Sequence, residues 1–260
     1  MSSADVPRAD PTYYVTQVAF STLVEGDEIQ GHGTVVPEAC VPGTTALRTS
    51  VVTLWADVLA GAAAGLAINP RIPLTLDLEV LVRRPFAPGS PVHAEARVVR
   101  AGRSVVVTEA TFGDGTDPEP LAVAVATFVP SPDTRHVFDG GFPIPVFPEG
   151  ARLSQPLAER LGCRVIEPGT VEMPRRLDAL NAVGAIQGGA VATALEEAAS
   201  SLSPEPAHLE ALNVRYLRPV MTGPARAVAT AVGDLRTVRL TDVATGKLCA
   251  LATARVARNL

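Results

Sequence analysis

The feature that most constrains the fold of this chain is that it states one plan twice. A largely apolar helical stretch over residues 45–66 is followed by strand-like segments over residues 75–82, 91–99, 104–112 and 121–128. A second apolar helix over residues 186–202 is followed by further segments over residues 209–216, 225–232, 237–242 and 248–256. The halves also superpose residue by residue. Leu78, Val80, Arg84 and Pro85 fall on Leu212, Val214, Arg218 and Pro219, and Gly102 falls on Gly233. Self-similarity at that level marks an internal duplication. Each helix is apolar nearly all round, which predicts that protein covers it on every side. The strands that follow then form an antiparallel sheet wrapping it, an α+β fold.

Between the halves, Pro130, Pro132, Pro143, Pro145, Pro148 and Pro156 mix with Gly140, Gly141 and Gly150. Proline locks a backbone dihedral and removes a ladder donor, so residues 131–156 read as an extended linker between units at 1–130 and 157–260. Hydrophobic residues at 47% against 19% charged exclude a disordered chain. A formal net charge of -5 with no concentrated basic face argues against a nucleic-acid partner. There is no basic stretch leading into an apolar segment at the N-terminus and no uninterrupted apolar run of spanning length. The expectation is a soluble, cytoplasmic protein with no membrane partner. Cys40, Cys163 and Cys249 are odd in number and far apart, which predicts free thiols rather than a disulfide framework or a metal site. His93, His136 and His208 lack metal-site spacing, and Gly31-His32-Gly33 reads as a turn or strand start. No glycine-rich phosphate loop, Ser-His-Asp order or GxSxG elbow is present.

The chemistry concentrates in Asn181-Ala-Val-Gly184-Ala-Ile-Gln187-Gly188-Gly189, running into the second helix and on to Glu196 and Glu197. A Gly-Gly at a helix start offers bare N–H groups and close backbone approach. Asn181, Gly184, Gln187, Gly188, Gly189 and Glu196 together resemble the Asn-x-x-Gly-x-x-His-Gly-Gly motif, with a carboxylate nine residues after the His, of the PaaI-like hotdog-fold acyl-CoA thioesterases. Gln187 stands where the family has His. The resemblance implies hydrolysis of acyl-CoA thioesters without metal or organic cofactor. With both halves on one chain, it implies a double hotdog, the fused form of what is usually a homodimer.

Spacing places the working carboxylate elsewhere than on the motif's own helix. Gly188 and Glu196 are separated by about 12 Å of helix at a rise of ~1.5 Å per residue, too far to act on one carbonyl. Two helices must therefore meet, one giving its N-terminus and the other its carboxylate. In the first half Arg48 takes the place of Gln187, and Asp57 takes the place of Glu196. Site one joins Asn181, Gln187, Gly188 and Gly189 to Asp57. Site two joins Glu196 to the backbone at Thr49, with Pro42 where Asn would stand. Site one fills the family's roles: Gly188 N–H as oxyanion donor, Asn181 orienting water or carbonyl, and Asp57 as base or nucleophile. Gln187 can donate a hydrogen bond but cannot titrate near neutrality. A carboxylate amid Val51, Val52, Leu54, Trp55, Val58 and Leu59 is costly to bury without a purpose. Glu196 and Glu197 divide between a surface residue and a weaker second site. Arg84 and Arg218, with Arg83 and Arg215, are candidates for the phosphates of acyl-CoA.

Two other functions compete. A non-catalytic acyl-CoA-binding or sensing protein would explain Gln187 and the missing Gly-Gly of the first half. A hydratase or dehydratase would need an Asp and His pair, and no His lies near either helix. Sheets of this kind usually pair further, so a homo-oligomer, a dimer of double hotdogs, is expected.

Overall fold

The computed structural model describes residues 12–18, 20–25, 28–138 and 152–257. Half of the expected linker, residues 139–151, lies outside the described residues. A short helix α1 (Tyr14–Gln17) precedes the paired strands β1 (Phe20–Glu25) and β2 (Glu28–Thr34), a 3-10 turn over Pro37–Ala39, and the long helix α2 (Thr49–Ile68). Strands β3 (Pro73–Val82), β4 (Pro91–Ala101), β5 (Val106–Gly113) and β6 (Ala122–Pro130) follow. The second half repeats the order: α3 (Leu157–Leu161), β7 (Arg164–Glu167), β8 (Thr170–Met173), a 3-10 turn over Leu177–Ala179, and α4 (Gly188–Ser200). It ends with β9 (Leu209–Tyr216), β10 (Ala225–Val232), β11 (Leu235–Asp242) and β12 (Lys247–Val256).

All the described strands join one sheet in the order β1-β2-β4-β5-β6-β3-β9-β12-β11-β10-β8-β7. Counted inward from either edge, the two halves use corresponding strands in the same order, and they meet where β3 pairs antiparallel with β9. The register reflects the sequence repeat. Leu78 faces Val214 and Val80 faces Leu212, so Glu79 lies opposite its own counterpart, Asn213. A pseudo-twofold axis passes between those two residues. It relates α2 to α4 and each strand of one half to a strand of the other.

The helices lie against the inner face of this sheet. Alternate residues of β4 (Val92, Ala94, Ala96) and of β10 (Ala225, Ala227, Ala229) point inward, which is the period-2 pattern of a half-buried strand. α2 packs on β2 to β6 and α4 on β8 to β12. By length and composition α2 could cross a membrane, yet 67% of its most apolar window is buried inside the protein. Trp55 on α2 stacks on Phe20 of β1 at 5.1 Å. That stack explains Gly31, which lies inside β2 rather than in a turn. A Cβ there would come within 2.3 Å of the Phe20 ring. Cys40 and Cys249 are buried, Cys163 is half-buried, and all three are free.

The two helices cross at Gly189. A Cβ at that position would meet Leu54 Cδ1 at 2.6 Å and Leu54 Cβ at 2.7 Å, so the approach of α4 to α2 requires glycine. Gly189→Ala should therefore cost about 1–3 kcal/mol, as overpacking does in a close-packed core. Urea denaturation measures it, and an unchanged midpoint would show that the helices can part without penalty.

Candidate active site

Each helix N-terminus meets a carboxylate from the other helix, and the two meetings differ. At the start of α2 the carboxylate is Glu196, which is fully buried. Its Oε1 accepts from Thr49 N at 2.9 Å, and its Oε2 accepts from Ser50 N at 3.2 Å and from the Ser50 hydroxyl. The buried Arg48 guanidinium lies 3.9 Å from Glu196 and is paired with Glu197. Burial pushes the Glu196 carboxyl up from its ordinary range, while Arg48 and the Ser50 hydrogen bonds pull it back. The Thr49 hydroxyl donates to Leu209 O at 2.6 Å. Thr49 thus has neither its N–H nor its hydroxyl proton left for a substrate, contrary to the expectation that it would bind one.

At the start of α4 the carboxylate is Asp57, one methylene shorter, and it does not take the helix N–H groups. Gln187 takes them. As N-cap residue, its Oε1 accepts from Gly189 N at 2.5 Å and Ala190 N at 3.3 Å, and also from the Tyr14 hydroxyl. Three donors on the oxygen fix the amide's orientation, which turns its Nε2 to donate to Asp57 Oδ2 at 3.2 Å. Thr75 donates to Asp57 Oδ1 at 2.7 Å. Burial raises the Asp57 carboxyl above its ordinary value of 3.8, and the Thr75 hydrogen bond opposes the rise. Gly189, expected to touch substrate, instead spends its N–H on Gln187 and its bare Cα on Leu54. Of the Gly-Gly pair, the Gly188 N–H is the one without a partner among the described residues.

Gly188 opens onto a cavity of about 450 Å³. It forms because β3 and β9 pair only from Asp77↔Arg215 to Leu81↔Ala211. Beyond Asp77, β3 stays with β6 and Tyr216 stays with Ala250 of β12, so the two central strands part. Asp57, Thr75, Asn181, Gln187, Gly188 and Tyr216 line one wall, and the rest is mainly aliphatic, including Ile72, Leu74, Val129, Ile186, Val191 and Val220. A methyl group at Gly188 would lie 3.3 Å from Asp57 Oδ2 and 3.4 Å from the Tyr216 hydroxyl. The side of Gly188 that a side chain would occupy is therefore flanked by a carboxylate and a phenol.

Asn181 lines the cavity, but its Oδ1 first serves the loop, accepting from Val183 N at 3.1 Å and Ala185 N at 3.0 Å. Gly184 completes that turn in the left-handed region at φ 79°. The corresponding first-half loop closes from Val41 N to Ala46 O where this one closes from Asn181 N to Ala185 O. It is one residue longer, so the counterpart of Asn181 is Val41 rather than Pro42. Arg218 reaches the cavity wall. Arg84 does not line it and is held by Asp114 and Asp117 at 3.6 and 3.7 Å. Arg215 pairs with Asp77 at 3.4 Å, and Arg83 with Asp117 at 2.7 Å. Among the described residues no group of three His, Cys, Asp or Glu is placed to hold a metal ion.

Residue-type reasoning missed Thr75 and the tyrosines. The chain has three tyrosines, and all three gather here. Tyr13 donates to Leu180 O at 2.6 Å, Tyr14 holds Gln187, and Tyr216 donates to Gly188 O at 3.1 Å. Burial and the Asp57 charge both raise the phenols of all three, with burial the larger cause. Their scarcity was the one sequence signal that could have drawn attention to them.

Two central helices wrapped by an antiparallel sheet, with a carboxylate of one facing the N-terminus of the other, define a hotdog-type architecture. Residues 49–120 match the model of the Thioesterase superfamily. That stretch carries Asp57 and Thr75, while the Asn181 to Gly189 motif lies in the other half. No curated protein matches the chain. Among solved structures it is similar to a 12:0-ACP thioesterase from Umbellularia californica, at 13% identity over 90% of this chain and 99% of that one, with TM-score 0.65. It is also similar to an acyl-ACP thioesterase from Bacteroides thetaiotaomicron, at 12% identity over 89% and 98%, with TM-score 0.62. A third is a conserved protein of unknown function with hot dog fold from Alicyclobacillus acidocaldarius, at 18% identity over 96% and 98%, with TM-score 0.58. At such identities the likeness is one of fold.

Two stability experiments follow from the contrast between the carboxylates. An acid whose native pKa is raised ionises first in the unfolded chain. Wild type therefore loses stability relative to Asp57→Asn as pH rises from the ordinary carboxylate value of 3.8 through the native one. Above both values Asp57→Asn should be the more stable protein, and urea unfolding across that range measures the difference. Equal stability at all pH values would contradict a strained Asp57. Glu196→Ala, by contrast, leaves the Thr49 and Ser50 N–H groups without their acceptor inside the core and should cost about 2–5 kcal/mol. A loss under ~1 kcal/mol, the scale of an exposed ion pair, would contradict the capping role.

Proposed function

We propose that this chain is a PaaI-like acyl-CoA thioesterase on a tandem, double-hotdog scaffold, with one working site between its halves. The observation that carries this reading is that the Asp57 carboxylate and Gly188, whose N–H has no partner among the described residues, line the same largely aliphatic cavity. The Thioesterase superfamily match over residues 49–120 and the fold likeness along the whole chain support it.

A thioester carbonyl in front of Gly188 accepts that N–H, which sits at the positive end of α4. Asp57, ionised, takes a proton from a water molecule as the water oxygen bonds to the carbonyl carbon. The charge that develops on the carbonyl oxygen rests on the Gly188 N–H. When the oxyanion collapses, the C–S bond breaks, and the departing thiolate recovers the proton from Asp57. A thiolate leaves readily, so no stronger acid is needed. Gln187 supplies geometry only: it ties down the second and third N–H groups of α4 and holds Oδ2 of Asp57. The acyl group that fits these walls is uncharged and aliphatic, and Arg218 at the wall suits the phosphate of the pantetheine arm. The expected homo-oligomer, a dimer of double hotdogs, belongs to the same reading. Light scattering on the purified protein tests it, and a monomer would refute it.

Purified protein incubated with acetyl-, butyryl-, octanoyl- and lauroyl-CoA and a thiol reagent should release CoA. Asp57→Asn should lower kcat by about 10²–10⁴-fold, the range of a lost general base. Glu196→Gln should retain activity per folded molecule. The opposite pattern would move the site to α2. Tight binding without release in the wild type would leave a sensor, the reading that Gln187 in place of His otherwise favours. For wild type, kcat/KM should rise with pH through an inflection above the ordinary carboxylate range. Thr75→Val removes the hydrogen bond that opposes the shift, so the inflection should move higher still. An unmoved inflection would assign the titration to another group.

A further inference from the structure

We propose that the Tyr216 hydroxyl is a second oxyanion donor, acting beside the Gly188 N–H on the same carbonyl oxygen. The inference rests on the thioesterase reading above and adds a catalytic residue to it. Tyr216 ends β9, and its alternation with the buried Leu212 and Val214 turns its ring toward the helices. Its hydroxyl is 3.4 Å from the place a side chain would occupy on Gly188, and Asp57 Oδ2 is 3.3 Å from the same place. Asp57 and Tyr216 therefore flank Gly188 on the side its missing side chain leaves open, and all three line the cavity that a thioester would enter.

The present partner of that hydroxyl can be given up. It donates to Gly188 O at 3.1 Å, and a carbonyl in the first turn of an α-helix already accepts from the N–H four residues on. Turning the O–H to a substrate oxygen leaves no buried acceptor unsatisfied. Burial and Asp57 keep the phenol from ionising, so it acts as a neutral donor and transfers no proton.

Pseudo-symmetry supplies an independent argument. The position related to Tyr216 by the repeat is Val82, and the position related to Thr75 is Leu209. At the start of α2, where Glu196 and Ser50 fill the space, the scaffold tolerates aliphatic side chains at both places. The fold does not need a hydroxyl there. Both hydroxyls occur at the end that opens to the cavity, which ties them to what enters it.

Tyr216→Phe keeps the ring and removes the donor. With the acyl-CoA that wild type cleaves fastest, kcat should fall about 10²-fold, the scale of one oxyanion donor. KM should stay within about twofold, because the interaction strengthens only in the transition state. Two non-hydrolysable probes complete the test. The S-alkyl-CoA thioether, which lacks the carbonyl, should bind wild type and variant equally. The trifluoromethyl ketone analogue of CoA, whose hydrate carries an oxyanion-like oxygen, should lose affinity by about the same factor as kcat. An unchanged kcat would overturn the proposal while leaving the thioesterase intact. Parallel weakening of thioether binding and kcat would also overturn it, making Tyr216 part of the binding wall. Failure of wild type to cleave any of the four acyl-CoAs would instead sink the thioesterase reading, and the donor role with it.

Discussion

The structure turns on the reciprocal contact in which each central helix offers its N-terminus to a carboxylate of the other. A helix end leaves N–H groups without intrahelical partners, and inside a core they must be satisfied or kept for a ligand. The duplication brings two such ends together through one interface, the β3–β9 ladder centred on Glu79 and Asn213. The close crossing at Gly189 and Leu54, the parting of β3 from β9 past Asp77, and the cavity beyond all follow from how those ends are placed.

Small chemical differences then break the symmetry. Glu196 has the reach to accept from Thr49 and Ser50 at once, and Arg48 and Ser50 offset part of what burial costs it. Asp57 lacks that reach, and Gln187 caps the opposite helix in its place. One methylene and the exchange of Arg for Gln thus separate a saturated helix cap from a strained carboxylate near a Gly188 N–H that has no partner among the described residues. The strain has a use on the proposed reading: a carboxylate denied the helix N–H groups keeps its affinity for the proton of a water molecule.

Much of this was legible in the sequence, and the reasons are specific. Strands β9 and β10 run over residues 209–216 and 225–232 as expected: Ala225, Ala227 and Ala229 alternate with exposed residues in β10, and Leu212 and Val214 keep the alternation in β9 past an irregularity between Leu209 and Ala211. Leu78 and Val80 and their counterparts Leu212 and Val214 lie on the two strands that meet at the centre of the sheet, a pairing the repeat by itself did not state. Strands β1, β2, β7 and β8 were not legible. Two glycines break the alternation of β2, and all four residues of β7 are exposed at a sheet edge, where no burial imposes a period. In the site, the pairing of Asp57 with the α4 N-terminus came from helix length together with the repeat and the family resemblance. The fate of the individual N–H groups did not. It depends on Tyr14, which lies 173 residues from Gln187 along the chain, and on which carboxylate can physically reach. Motif spacing carries no information about either.

The central claim is that one of two pseudo-equivalent helix ends is open and the other is closed by the carboxylate that the opposite helix presents to it. Calorimetric titration with an S-alkyl-CoA thioether reads this directly as stoichiometry. One molecule bound per chain, abolished when Gly188→Val fills the space before Asp57 and Tyr216, is the predicted result. Two molecules per chain would contradict the account, because the Glu196 end would then be open as well.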